Sequence, residues 1–264
     1  MSDWLLQHEI ALRCGVFVGL FVLLAALQSL RPFRKVSAPW RRWARHLVLA
    51  TLGTLLVRLL FPVVAIAVAA EVDAADFGLL QLGSAPLALQ VLGGVIVLDL
   101  IIYLQHRIFH GVPWLWRLHR MHHSDTEFEV STAIRFHPLE IALSMLIKIA
   151  MIVICGIPAL AVLLFEILLN ATSLFSHADI SLSRRLDRAL RWVLVTPDMH
   201  RIHHSTLPVE TNSNYGFCLS LWDRLFESYR DTALRDPAEM PIGLGQFRES
   251  REQRLLPLLS QPFR

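Results

Sequence analysis

Long apolar stretches dominate the pattern of hydrophobic and polar positions along this chain. Each is long enough for at least one membrane-spanning helix, which takes about 20 residues. They cover residues 14–30, 47–70, 85–105 and 139–176. The last is about twice the length of one span and is interrupted at Gly156-Ile157-Pro158, where glycine and proline favour the end of a helix. The pattern therefore predicts an all-α membrane bundle of three spans followed by a helical hairpin.

The charges between these stretches predict an orientation. Residues 31–46 hold six Lys or Arg and no acid, whereas residues 71–84 hold three acids and no Lys or Arg. The positive-inside rule therefore places residues 31–46 in the cytoplasm and residues 71–84 outside. The third span then returns the chain to the cytoplasm at His106. Because the hairpin leaves and comes back, His177 and the residues after it are expected on the cytoplasmic side as well.

The composition supports lipid as the solvent and excludes other classes. The chain is 54% hydrophobic and only 18% charged, which is too apolar for a soluble domain of 264 residues. Its net charge of +3 comes from basic residues beside apolar runs, not from a stripe interleaved with aromatics. Nucleic acid is therefore not an expected partner. The three cysteines, Cys14, Cys155 and Cys218, are too far apart for a CxxC pair and predict no disulfide framework.

Nine of the twelve histidines fall into a pattern typical of metal ligands. They form one HxxxH, two HxxHH motifs and one isolated position: His106 and His110; His119, His122 and His123; His200, His203 and His204; and His177. On a helix, residues three or four apart share a face, so HxxHH aims two rings at one point and its adjacent third ring at a second point nearby. A histidine-rich surface that binds metal loosely is the alternative. Chance would give about 0.02 HxxHH matches at this histidine frequency, so two copies favour a built site.

The ligand type narrows the metal. Imidazole nitrogens suit iron, zinc, copper or nickel and not magnesium or calcium. A structural zinc site takes four ligands, and nine histidines exceed one such site. Two iron ions, each with several imidazoles and an open position for O2, fit the number of ligands. The ligands alone leave iron and zinc both open.

The histidines belong to longer motifs that span about half of the chain. These are Asp99…Tyr103…His106-Arg107…His110, Leu115-Trp116…His119…His122-His123-Ser124, Arg135-Phe136-His137-Pro138…Glu140, Phe175-Ser176-His177, Pro197…His200…His203-His204, Asn214-Tyr215-Gly216 and Trp222-Asp223-Arg224-Leu225-Phe226. In these motifs the sequence resembles the fatty acid hydroxylase and sterol desaturase superfamily. The resemblance implies a membrane-embedded dinuclear iron site that uses O2 to hydroxylate or desaturate a lipid. Many members carry a further HxxxH where this chain has Asn170, Ser173 and His177, so one ligand here is Asn170, water or absent.

Several polar residues near the histidines are further candidates. Asp99 lies two helical turns before His106 on the same face, and an acid within a span is costly enough to be functional by default. We expect its carboxylate to orient an imidazole N–H, with an ion pair to a nearby cation as the alternative. Asn214 and Tyr215 are expected to approach the site. His137 is a tenth candidate ligand, although a supporting role at the helix start before Pro138 is favoured. His8 and His46 are expected to be plain interfacial residues.

The sequence predicts an O2-dependent lipid hydroxylase or desaturase that holds an apolar chain or a sterol-like substrate. It offers no dinucleotide-binding motif and no CxxC, so electrons are expected from an external donor such as a ferredoxin, a small haem protein or a reductase. Two alternatives stay open. One is an ether-lipid-cleaving monooxygenase, and the other is a non-catalytic membrane protein that binds or transports metal.

These predictions give the following organisation. Residues 1–264 form a single membrane domain in which residues 14–105 hold the first three spans and residues 139–176 the hairpin. A cytoplasmic, metal-binding cap consists of residues 106–138 and 177–230, followed by a cytoplasmic C-terminal tail at 231–264. The expected location is the inner membrane of a bacterium, as a multi-pass protein with its metal site towards the cytoplasm.

The hairpin also carries two opposite charges within its apolar arms. Lys148 lies ten residues after Pro138 and Glu166 eleven before His177, so both lie ~15 Å from the cytoplasmic ends of the arms. Arg58 reaches a similar depth in span two. Since an unpaired charge at that depth costs ~3 kcal/mol or more, we predict a Lys148–Glu166 ion pair, shared with Arg58. The alternative is that these side chains snorkel separately or line a water-filled pocket.

Overall fold

A computed structural model describes residues 2–37, 39–61, 65–82 and 85–264. Its regular elements within these ranges are helices. In chain order they are α1 (Ser2–Gln7), α2 (Glu9–Leu30), α3 (Pro39–Leu60), α4 (Ala65–Ala74), α5 (Leu87–Gly111), α6 (Pro113–His123), the 3-10 helix η1 (Val130–Ile134), α7 (Pro138–Cys155), α8 (Ala159–His177), α9 (Arg184–Leu190), α10 (Pro197–His203), α11 (Pro208–Thr211), α12 (Leu221–Leu225), α13 (Leu255–Ser260) and the 3-10 helix η2 (Gln261–Phe263). The predicted all-α fold class is confirmed.

Within the described ranges, five candidate membrane spans are long and apolar enough to cross a bilayer. They are α2, the stretch Pro39–Ala74 that contains α3 and α4, α5, α7 and α8. Part of the predicted span 47–70, residues 62–64, lies outside the described residues. Helix α2 begins at Glu9, five residues before the predicted start. The reason is that Arg13 and Glu9 form an i,i+4 ion pair at 3.0 Å, so the charged first turn continues the helix.

Helix α8 lies at the centre of the bundle. Its apolar face, including Ala161, Val162 and Phe165, is fully buried against α5 and α4. The crossing with α5 is close, because a Cβ added at Gly94 would lie 2.8 Å from Ala161 Cβ. The other faces of α8 contact α2, α10 and η1. This packing holds the C-terminal end of α8, with His177, beneath the cap.

The hairpin and the loop after α4 meet at one end of the bundle. The α7 helix ends at Gly156, whose φ of 66° lies in the left-handed region. Leu80 N donates to Cys155 O at 2.8 Å, and a Cβ added at Gly78 would lie 2.2 Å from Gly156 N. At the opposite end, Phe33 N donates to Asp179 O at 3.0 Å, which brings the basic segment beside the cap. The predicted grouping of these segments into two ends is therefore present, while the compartment that each end faces stays a prediction.

The hairpin arms are joined by the predicted ion pair. Lys148 Nζ lies 2.6 Å from Glu166 Oε1, and both side chains are buried, which confirms the prediction. The second cation that contacts Glu166 is Arg13 and not the expected Arg58. Arg13 Nη2 lies 2.9 Å from Glu166 Oε2, whereas Arg58 has no carboxylate within 4.0 Å among the described side chains. The apolar run of the first span gave no sign that α2 extends back to Arg13.

The C-terminal residues of the chain pack onto the cap. Leu258 and Gln261 are fully buried. Gln253 Nε2 donates to Ser124 O at 2.9 Å, and Arg120 Nη2 donates to Gln261 O at 2.5 Å. Part of the predicted C-terminal tail at 231–264 therefore packs against α6 and the residue that follows it.

Candidate metal centre

Two short helices present the HxxHH motifs. Both α6 and α10 begin with proline at the first helical position, Pro113 and Pro197, where the missing N–H costs nothing. The α10 helix is capped by Thr196, whose hydroxyl accepts from Met199 N at 3.3 Å. The α6 helix carries His119, His122 and His123 at its C-terminal end, and α10 carries His200 and His203, with His204 at its C-cap.

The nine histidines form two buried clusters. The first cluster consists of His106, His110, His119, His123 and His203, and the second of His122, His177, His200 and His204. Within each cluster the candidate ligand atoms lie within 4.8 Å of one another. Each HxxHH divides between the two as its spacing predicts. The i,i+4 pair of α6 joins the first cluster and that of α10 the second, while the remaining ring of each helix joins the other cluster.

The hydrogen bond that a ring makes through Nδ1 determines the orientation of that ring. His106 Nδ1 donates to Tyr215 O at 2.7 Å, and His203 Nδ1 to Ser213 O at 2.7 Å. In the second cluster His177 Nδ1 donates to Ser173 O at 2.8 Å. A carbonyl oxygen only accepts, so the proton of each neutral ring lies on Nδ1 and the lone pair lies on Nε2. These lone pairs point into the clusters.

The inward nitrogens face one another closely. The Nε2 atoms of His203 and His106 lie 3.1 Å apart, as do those of His200 and His177. His119 Nε2 and both ring nitrogens of His204 are buried without a hydrogen-bond partner among the described residues. Opposed lone pairs at this distance repel, and orphaned buried nitrogens are costly. Both costs disappear when a cation lies between the rings, so each cluster fits a metal ion.

The cap histidines are suited to ligation at neutral pH. Burial, together with the neighbouring imidazoles, lowers their pKa values well below the ordinary value; these are His122, His123, His200, His203 and His204. Metal binding requires the neutral ring, and these rings stay neutral without assistance. His119 Nδ1 donates to Glu140 Oε1 at 2.6 Å, and such a carboxylate partner fixes the tautomer and the orientation of the ring.

Asp99 has a different role from the expected one. Its carboxylate accepts from Trp222 Nε1 at 2.8 Å and from the backbone N–H groups of Cys218 and Leu219 at 3.3 and 3.2 Å. The expectation that Asp99 orients an imidazole is therefore wrong. Its position on α5 before His106 instead lets it fix the loop that follows Tyr215. That loop supplies the carbonyl that holds His106, so Asp99 supports the histidine indirectly.

The other polar candidates divide between the cap and the bundle. Tyr215 lies against the first cluster, with its ring centroid 5.1 Å from that of His110, and burial raises its pKa to about 12. Asn214 adopts a φ of 54°, and its amide donates to Met199 O and Arg230 O at 3.0 Å each, so it shapes the loop. Asn170 Nδ2 donates to Glu166 O, one turn earlier on α8, at 2.8 Å.

His137 starts a helix. Its Nδ1 accepts from Leu139 N at 3.2 Å, which caps α7, and its Nε2 donates to Leu259 O at 3.1 Å. Both nitrogens are thereby used, and His137 belongs to neither cluster. The favoured supporting role ahead of Pro138 agrees with this geometry.

A buried network of charges that the sequence did not indicate lies behind the second cluster. Arg42 Nη2 donates to Asp125 Oδ2 at 2.7 Å, and Arg135 Nη2 donates to Ser124 Oγ at 2.8 Å. Burial alone would raise the pKa of Asp125, but the two guanidinium groups bring it below its ordinary range. The network fixes the carbonyl of Arg135, which accepts from His122 Nδ1 at 3.3 Å. The run of acids that follows the first HxxHH was the available signal.

His46 belongs to the same network and was misread as interfacial. It is fully buried, and its Nδ1 donates to Ser131 O at 3.1 Å. The misreading arose because His46 follows Arg45 at the start of an apolar run, where an interfacial position is the usual case.

An apolar cavity of about 520 Å³ lies beneath the clusters, between α2, α3, α5, α7 and α8. Its histidine end is formed by Phe136, which stacks on His122 with ring centroids 4.4 Å apart, and by Phe217, whose ring centroid lies 5.0 Å from that of His106. Its walls are mainly aliphatic: Leu47, Ala50, Leu55, Ile102, Ile134, Ile141 and Leu169 are among them. The few polar groups include Gln105 and Ser144, which hydrogen-bond to each other at 3.0 Å. The cavity thus has the shape and polarity for a hydrocarbon chain.

The sequence model of the fatty acid hydroxylase family matches residues 91–228, more than half of the chain. The chain belongs to this family. The match begins within α5 and ends after α12, so it includes all nine clustered histidines and the loop held by Asp99. No solved structure matches the chain at a significant level.

Curated relatives are lipid-modifying enzymes by name. The chain is 28% identical over 179 residues to the ornithine lipid hydroxylase OlsE of Rhizobium tropici. This alignment covers 67% of this chain and 51% of OlsE. It is 31% identical over 130 residues to the alkylglycerol monooxygenase of Xenopus tropicalis and 29% over 128 residues to that of Homo sapiens; each alignment covers 48% of this chain and 27% of the relative. The chain therefore spans between about a quarter and a half of the length of these relatives.

Proposed function

We propose that this protein is an O2-dependent lipid hydroxylase with a dinuclear iron centre. The observation that carries the proposal is the apolar cavity that ends at two clusters of buried imidazoles. Iron is favoured over zinc because a membrane cavity leading to the site calls for redox chemistry on hydrocarbon, which zinc does not supply. Hydroxylation is favoured over desaturation because the relatives are a hydroxylase and monooxygenases by name.

The residues divide the work as follows. The first cluster would hold one iron through His106, His110, His119, His123 and His203, and the second cluster the other through His122, His177, His200 and His204. When bound by these residues, two irons would supply the redox chemistry for reducing O2 and inserting one oxygen atom into a C–H bond. The balanced reaction uses two electrons and two protons and releases water with the alcohol. Phe136 and Phe217 line the end of the cavity next to the rings and give that end an apolar surface for the hydrocarbon.

The electrons come from a partner protein. His110 is the one clustered histidine that is not fully enclosed, and it lines a surface cavity of about 500 Å³ with Trp116 and Asn212. An external donor such as a ferredoxin, a small haem protein or a reductase would therefore have its shortest path on this side of the cap.

A second candidate is oxidation next to an ether oxygen. Four of the relatives are named alkylglycerol monooxygenases. The same site serves both candidates, because hydroxylation at the carbon beside an ether oxygen gives a hemiacetal that breaks the ether bond. The products distinguish them, since ether cleavage gives an aldehyde and a free alcohol.

Turnover is tested with the full chain in lipid nanodiscs, loaded with iron and supplied with a reductase and ferredoxin. We expect O2 uptake that depends on added lipid, and a product that carries one atom from isotopically labelled O2. Replacing Ala50 by Phe fills the cavity and should lower turnover roughly tenfold with the iron content unchanged, because overpacking excludes the chain without touching the ligands.

Ala67→Phe is the matched control, because Ala67 is exposed on α4 and away from the cavity. Equal losses in the two variants would mean that the cavity is not the substrate site. Stoichiometric zinc with no lipid oxidation would favour the metal-binding alternative.

We further propose a multi-pass protein of a bacterial inner membrane whose metal centre faces the cytoplasm. The loop charges support this orientation. A cysteine in place of Val209, which is exposed beside α10, should react with an impermeant maleimide only in inside-out vesicles. A cysteine in place of Ala75, exposed at the opposite end, should react only in intact cells. Neighbouring Glu210 is unsuitable because its side chain is buried. The reverse labelling pattern would overturn the orientation.

A further inference from the structure

A second, smaller cavity adjoins the apolar one at the end away from the histidines. It measures about 140 Å³ and contains three charged side chains, Arg13, Arg58 and Glu166. Thr54 and Ile141 line both cavities. A molecule that fills the apolar cavity therefore reaches the charged one without leaving the bundle.

The charges around this small cavity do not cancel. Glu166 is shared between Lys148 at 2.6 Å and Arg13 at 2.9 Å, and Arg13 also contacts Glu9 at 3.0 Å. Arg58 adds a third cation, so the described side chains here hold three positive and two negative charges. Both ends of the Arg13 fork are occupied by carboxylates, whereas Arg58 has no carboxylate within 4.0 Å among the described side chains. A cation without a carboxylate partner is energetically costly within a membrane span.

We infer that this cavity binds the anionic end of the lipid substrate, with Arg58 as the residue that recognises it. The inference rests on the proposed function, because it places a lipid chain in the apolar cavity. A carboxylate or phosphate oxygen pair matches the planar fork of a guanidinium group in two parallel hydrogen bonds. The anionic ligand would add the third negative charge, besides Glu9 and Glu166, that balances the three cations. Arg58 is also exposed on α3, so a lipid can approach it from the bilayer.

The depth of the cavity determines where the chain is oxidised. Glu166 lies eleven residues before His177 on α8, which corresponds to roughly 16 Å along the helix. A lipid anchored at Arg58 therefore presents to the clusters a carbon many bonds from its charged end. The distance between Arg58 and the clusters would then determine which carbon is oxidised.

Binding of three probes to the purified full chain tests the inference. Palmitate and hexadecanol share a chain and differ in charge, and dipalmitoyl phosphatidate carries the anion on a phospholipid headgroup. We expect palmitate to bind about tenfold more tightly than hexadecanol, and Arg58→Gln to abolish that preference while hexadecanol binding stays the same. Arg58→Lys should keep part of it. If phosphatidate exceeds palmitate, the anion belongs to a phospholipid; if palmitate exceeds phosphatidate, it belongs to a free acid.

Arg41→Gln is the matched control, because Arg41 lies on the same helix but stacks on Trp40, with its guanidinium 4.9 Å from the ring centroid. Equal binding of palmitate and hexadecanol by the wild type would overturn the inference, as would a palmitate preference that survives in Arg58→Gln. If Arg58→Gln does not fold, the wild-type preference and the Arg58→Lys variant decide. Selective binding without lipid oxidation would overturn only the proposed oxygenase, since the binding measurement needs no turnover.

Discussion

Replacing His177 by alanine is expected to abolish lipid oxidation and to lower the metal content from two ions per chain to about one. The second cluster has four imidazoles, and His177 Nε2 lies 3.1 Å from that of His200 and 3.3 Å from that of His122, so its removal leaves three ligands and an opened site. We expect a fall in turnover of at least ~100-fold, beyond the 10–100-fold typical of losing a supporting contact. Metal analysis and product formation on the same preparation measure both effects.

His8→Ala is the matched control for this experiment. His8 is an exposed histidine that stacks on Trp4 and belongs to neither cluster, so its removal should change neither metal content nor turnover. The same experiment applies to the other eight clustered histidines. Full activity in two or more of the single variants would contradict the assignment of nine ligands.

Glu166→Gln is expected to destabilise the bundle strongly. The substitution removes the one carboxylate that both Lys148 and Arg13 contact, and breaking a buried pair from one side costs about 3–5 kcal/mol. We expect the thermal midpoint in detergent to fall by roughly 10 °C. The metal content of the folded fraction should stay unchanged, because Glu166 belongs to neither cluster.

Glu71→Gln provides the comparison, because Glu71 is an exposed carboxylate near the same end of the bundle. Its substitution should leave the midpoint within about 1 °C, as expected of a surface change. If Glu166→Gln kept the full midpoint but lost activity, Glu166 would instead act on the substrate from its position at the smaller cavity.

Most of what could be predicted from the sequence follows from the spacing of residues along single helices. The division of each HxxHH between two sites follows from helix geometry, because rings four residues apart stack on one face and the adjacent ring points about 100° away. The hairpin follows from Gly156 and Pro158, and the Lys148–Glu166 pair follows from equal depth in two antiparallel arms. Each of these features depends on residues that are near one another along one helix or at equal distances from the ends of two neighbouring helices.

The features that could not be predicted from the sequence depend on contacts between segments that are far apart along the chain. Arg13 reaches Glu166 across 153 positions, and Asp99 reaches Trp222 across 123. Arg42 reaches Asp125 across 83. No periodicity within a single helix signals which of several acids a cation will meet. The residues that hold the cap in place were therefore harder to predict than the histidines that it holds.

The attachment of the rings to backbone carbonyls has a consequence for how this enzyme family can diversify. Ser173 O fixes His177, while the same residue borders the apolar cavity. Tyr215 O and Ser213 O fix two further rings through atoms that every amino acid possesses. A substitution at Ser173 can therefore remodel the space available to a hydrocarbon while the acceptor stays in place. Substrate preference can change in this way, in nature or in directed evolution, while the geometry of the histidine clusters is preserved.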